Sequence, residues 1–82
     1  MTSLDRVARI FSDVFAVDSE SVTLETTPDD VLKWDSLGHM NLVASLEQEF
    51  KIRFEVDDVM EMIDVSKIVE ILAARGAING QG

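Results

Sequence analysis

Apolar residues along this chain recur mostly at helical intervals. Leu4, Val7, Ile10, Phe11, Val14 and Phe15 fall three or four apart, with Asp5, Arg6, Arg9 and Asp13 between them. That spacing predicts an amphipathic helix over 3–16, capped by Thr2 or Ser3, with one face on a core. Setting successive residues ~100° apart gathers Leu42, Val43, Leu46 and Phe50 into about a third of a circle, and His39 falls in the same arc. A second helix is therefore expected over 36–51. Val56, Val59, Met60 and Ile63 predict one or two turns over 56–63 that face inward, with Asp57, Asp58 and Glu61 outward. A last helix follows over 65–75, its stripe made by Val65, Ile68, Val69, Ile71 and Leu72. Asp64 suits its N-cap and Gly76 its C-terminal cap.

The connections are legible too. Residues 17–35 form a long polar loop, and its apolar members Val22, Leu24, Val31 and Leu32 are expected to pin it across the core. So long a loop usually has packing or function of its own. Thr27-Pro28-Asp29-Asp30 reads as a short helical turn capped by Thr27. Trp34, the one tryptophan, is read as the packing anchor of the loop end. Ile52 and Phe54 alternate with Arg53 and Glu55, but with no second strand to pair with, an extended link fits better than a strand. Residues 77–82 are expected to fray. The sum is all-α: a single domain over 1–82, built as a small bundle of three main helices, a short helix before the last, and a long first loop.

Composition narrows the function. A chain of 82 residues buries only about 60–65% of its unfolded surface, enough for one modest core. There is no cysteine, which removes disulfides and thiolate metal sites, and no metal site is expected. Sixteen acidic residues against seven basic ones give a formal net charge of −9. That balance argues against nucleic acid as a partner, since phosphate backbones demand a cationic face. It favours partners with basic patches, reached by electrostatic steering. No apolar run approaches the ~18 residues of a membrane span, and no signal-peptide pattern opens the chain. A cytoplasmic monomer without membrane insertion is the expectation.

The candidate chemistry centres on Ser36. Asp35 can cap the second helix, which puts Ser36 at the first helical position with its hydroxyl outward at the positive end of the helix dipole. An anion attached there would be held by backbone donors. A serine nucleophile would need a base and an oxyanion hole. The single histidine, His39, is turned ~60° away along the helix, and no Gly-x-Ser-x-Gly elbow surrounds the serine; no catalytic residue is expected. Ser36, Met40, Ala44 and Glu47, with Leu37, Asn41 and Gln48 beside them, mix apolar and polar groups on one arc, as a docking face does.

Asp35-Ser36-Leu37, then Leu42-Val43 and Leu46-Glu47-Gln48-Glu49-Phe50, resemble the acyl carrier protein family over roughly residues 3–75. The resemblance implies that Ser36 receives 4′-phosphopantetheine from coenzyme A through a Mg²⁺-dependent phosphopantetheinyl transferase. The thiol of that arm would hold acyl groups as thioesters for acyl-transferring, condensing or modifying enzymes of fatty acid, polyketide or specialised lipid synthesis. It also implies a partner face made by Asp35, Leu37, Gly38, Met40, Asn41, Ala44, Glu47 and Gln48, to which the acidic Asp57 and Glu61 are added. Gly38, Asn41 and Gln48 are uncharged where carriers of fatty acid synthesis often have acids. Much of the acidity lies instead in Asp57, Asp58, Glu61 and Asp64, which points toward a specialised pathway. An aminoacyl or peptidyl carrier is the nearest alternative, although such carriers read Gly-Gly-His-Ser where this chain has Lys33-Trp34-Asp35-Ser36. An unmodified acidic helical adaptor, using Met40 and Ala44 as contacts, is the alternative from another class.

Overall fold

A computed structural model describes residues 3–76. Among these the chain forms α1 (Ser3–Phe15), a 3₁₀ turn (Ser19–Ser21), α2 (Ser36–Phe50), α3 (Val56–Glu61) and α4 (Val65–Ala74), with no strand. The all-α bundle and the order of its helices match the sequence pattern. The cap expected of Thr2 and the frayed 77–82 lie outside the described residues, and Ser3 sits inside α1, buried.

The three longer helices form where apolar residues share a face. Val7 and Phe11 of α1, Leu42 and Leu46 of α2, and Val65, Ile68 and Leu72 of α4 are all fully buried together. Each such side chain contributes about 1.5–3 kcal/mol on leaving water. Ala16 and Lys51, both at left-handed φ (59° and 57°), end α1 and α2. Gly76, at φ 74°, turns the chain after α4, where a glycine carries no Cβ penalty. Arg6 lies 4.2 Å above the Phe50 ring and pairs with Glu49, so an outward residue of α1 also ties that helix to α2.

The long loop is held by backbone bonds. Val65 N–H donates to Thr26 O and Ser66 N–H to Leu24 O, each at 3.0 Å, so the loop occupies two donors of the first turn of α4 that have no partner within the helix. Asp64 caps the same turn through Lys67 N–H at 2.8 Å. Thr27 caps the expected turn through Asp29 N–H, and Asp30 N–H closes it onto Thr27 O at 2.9 Å. Val22 and Val31 are buried as expected. Leu24 and Leu32 are not: they are 41% and 95% exposed, and at Leu24 it is the carbonyl, bonded by Ser66 N–H, and not the side chain that ties the loop to α4.

The inward reading of α3 is also corrected. Val56, Met60 and Ile63 are 74%, 73% and 61% exposed, only Val59 is partly buried, and no residue of α3 itself is fully covered. Met62, just past its end, goes inside instead. The helix ends at Glu61, so Ile63 is not on its face at all.

A serine at a helix start beside an apolar cleft

Ser36 opens α2 and is exposed. Asp35, in extended conformation before it, accepts from Gly38 N–H at 2.8 Å, and the Asp35 carbonyl takes His39 N–H at 2.7 Å. The N-cap read from the sequence is thus in place. Beside the serine lies an open cleft of about 510 Å³, walled by Pro28, Trp34 and His39 on one side and Val59, Met60, Met62 and Ile63 on the other.

Gly38 changes place relative to expectation. It is buried, and a Cβ there would overlap the Lys33 carbonyl oxygen and stand 2.9 Å from Phe15 Cε1. The glycine lets the chain pass close to α2 on its way to Asp35-Ser36, and it takes no part in an outward face.

His39 is half-buried and fully bonded. Trp34 Nε1–H can only donate, so His39 Nδ1 accepts it, at 2.8 Å, and the ring proton is assigned to Nε2, which donates to Val59 O at 2.9 Å. That carbonyl belongs to α3. With both nitrogens so engaged, the imidazole is not directed at Ser36.

The residues of the implied partner face divide. Asp35, Leu37, Met40, Asn41, Ala44 and Gln48 on or beside α2 are exposed, as are Asp57 and Glu61 on α3. Glu47 is half-buried, and its carboxylate accepts Phe54 N–H at 2.9 Å, holding the extended link after α2. Leu37 and Met40 on α2 are exposed apolar residues (73% and 58%), as are Val56 on α3 and Met60 and Ile63 in the cleft lining.

Two of the acids are used inside the fold. Asp58 accepts from Glu55 N–H at 3.0 Å and pairs with Arg75 beyond α4; Glu55 lies 4.0 Å from the same guanidinium. The Glu55 N–H first, and Arg75 after it, hold the Asp58 carboxyl below the usual aspartate range. Asp64 is lowered likewise, by the Lys67 N–H and then by the Ser66 hydroxyl. Among the described residues, no group of acids and histidines is arranged to hold a metal ion, and no helix is long and apolar enough to cross a membrane.

Comparison with known proteins places this geometry. The family described as "phosphopantetheine attachment site" matches residues 5–72. The chain is 30% identical over 71 residues to an acyl carrier protein of Petrotoga mobilis, covering 87% of this chain and 84% of that one. It is 36% identical over 72 residues to the non-reducing polyketide synthase pkdA of Emericella nidulans, covering 87% of this chain but only 3% of the synthase. The solution structure of a holo acyl carrier protein from Geobacter metallireducens superposes with a TM-score of 0.82 at 38% identity, over 94% of this chain and 88% of that one. The chain therefore belongs to the phosphopantetheine-attachment family. It is a carrier and not an enzyme, and the group it bears is covalent phosphopantetheine.

Proposed function

We propose that Ser36 is the attachment point, its hydroxyl joined to the arm as a phosphodiester. The observation that carries this is a single one: an exposed serine hydroxyl at the first position of an aspartate-capped helix, opening onto an apolar cleft. A phosphate there gains on the order of 0.3–1 kcal/mol from the helix start. When bound, the arm supplies the thiol that this cysteine-free chain lacks. The chain is an acyl carrier that presents thioester-bound acyl groups to acyl-handling enzymes. Asp35 repels the phosphate it adjoins; its cap bond to Gly38 and a contact with a basic transferase patch are what keep it there.

The partners are a phosphopantetheinyl transferase and enzymes with basic docking patches, in the cytoplasm. They meet Asp35, Leu37, Met40, Asn41, Ala44 and Gln48 on the α2 side and Asp57 and Glu61 on α3, and Glu47 supports that face while tied to Phe54. Identity to a segment of a polyketide synthase, together with the sparse acidity of α2, favours a specialised pathway over housekeeping fatty acid synthesis. Incubation with coenzyme A, Mg²⁺ and a phosphopantetheinyl transferase should add the mass of one arm, and Ser36→Ala should abolish the gain. Mass added to the Ser36→Ala protein would overturn the assignment.

A further inference from the structure

The cleft beside Ser36 has a floor. Trp34 and Met62 are its buried lining residues, at 4% and 3% exposure. The indole of Trp34 is fixed on several sides: edge-on to Phe11 with centroids 5.0 Å apart, stacked on Phe15 at 6.2 Å, and nearly parallel to His39 at 6.1 Å. Its N–H is bonded to His39, and His39 is bonded in turn to α3 through Val59 O. Phe11 on the inner side, and Leu42, Leu46 and Ile68 beyond it in the core, have no exposure at all. A chain entering from the cleft at Trp34 would have to strand a buried indole N–H and strip three ring contacts. A chain left in the cleft meets Pro28, Val59, Met60 and Ile63 at no such cost.

We infer that the Trp34–His39 pair is a closed gate, which keeps the carried acyl chain in the outer cleft and out of the helical core. This rests on Ser36 as the attachment point and adds the class of cargo. Short acyl groups are sheltered against the α3 wall. The far end of a longer one projects toward solvent or a partner's site, and the bundle does not swallow it. His39 acts here as a positioning residue, through Trp34 and Val59, and touches no reacting atom in its own right.

The test loads the whole chain with an octanoyl arm, verifies the load by intact mass, and compares methyl NMR spectra of the octanoyl and unacylated holo forms. The methyls of Val59, Met60 and Ile63 should shift, and those of Leu42, Leu46 and Ile68 should hold their positions. Movement of the core methyls in the unaltered protein overturns the gate. His39→Ala, which removes both bonds, should bring the core methyls into the set that moves and slow thioesterase release of the octanoyl group several-fold. His39→Asn, whose amide oxygen replaces Nδ1 as acceptor for Trp34, should keep the closed pattern. A folded His39→Ala protein with the closed pattern also overturns the gate; if that variant does not fold, the comparison in the unaltered protein decides. Absence of arm mass on Ser36 is a different failure, which removes the attachment assignment and the gate with it.

Discussion

At Gly38 two preferences pull in opposite directions. A glycine inside a helix costs about 1 kcal/mol against alanine, so Gly38→Ala should stabilise α2 if only the helix mattered. The added Cβ would overlap the Lys33 carbonyl, which is backbone and cannot swing aside as a side chain would. Overpacking of that kind costs about 1–3 kcal/mol, and the upper end applies because the segment that must yield leads straight into the Asp35 cap. Gly38→Ala should therefore destabilise by about 1–2 kcal/mol net, seen as a lower urea midpoint with an unchanged slope. A rise in the midpoint would show that the loop gives way freely. The sequence showed only the helical cost and grouped Gly38 with the outward residues. The close approach of Lys33 and Phe15 is a tertiary event, with no local pattern to announce it. His39 was half legible for the same reason: its place on the inner arc could be read, but Val59, twenty residues on, could not.

Among the elements, α3 is the exception in how it is held. The other three helices each bury several side chains, whereas α3 has none fully buried and depends on the His39–Val59 bond and the Asp58–Arg75 pair. Low burial is the physical condition for local opening, so the amides of α3 should exchange with solvent faster than those of α1, α2 or α4. Arg75→Ala should speed α3 further and leave α1 unchanged. The acid behaviour follows from the same contacts. Asp58 and Asp64 are lowered from the ordinary aspartate value, which is about 3.9 in the unfolded chain. In acid the unfolded state thus binds more protons, and these groups contribute stability that is present above that value and lost as pH falls through their folded values. Asp64→Ala should cost about 1 kcal/mol near neutrality, as a lost N-cap does, and the difference from the unaltered protein should vanish in strong acid; pH-dependent urea midpoints check both. This element is also where periodicity misled. Val56 and Met60 satisfy a helical stripe as well as the residues of α1 do, but spacing reports only that a helix has an apolar face. Whether that face meets its own core or another protein is decided by how far α3 lies from the rest of the bundle. For α1, α2 and α4 the apolar face and the core coincide, so their limits were readable within a residue or two.

For the molecule as a whole, charge sets a condition on both stability and partnership. Sixteen acidic and seven basic residues leave an excess of negative charge on a body only 29 × 27 × 20 Å across. Neighbouring charges on so small a surface lie within a Debye length or two of each other at physiological ionic strength, where one such length is ~8 Å. Repulsion between them opposes compaction, and it reaches further across the fold as salt is lowered. The ion pairs of Arg6, Lys67 and Arg75 are all at least partly exposed, and exposed pairs are worth about 0–1 kcal/mol each. Salt should weaken the widespread repulsion more than it weakens these pairs, so the melting temperature should rise as sodium chloride is added from low ionic strength. The docking proposed above has the opposite sign. Attraction between an acidic face carrying Asp35, Asp57 and Glu61 and a basic patch is screened by the same ions, so the transferase KM for this chain should rise over the same salt range. Stability and partner affinity should thus move apart in one titration. Replacing Asp57 and Glu61 by Asn and Gln should flatten the KM response. The rise in melting temperature should largely persist, because two charges among so many change the total repulsion only a little. If both responses flattened together, the charge on α3 would be serving the fold and not the partner, and the docking face would have to be sought along α2 alone.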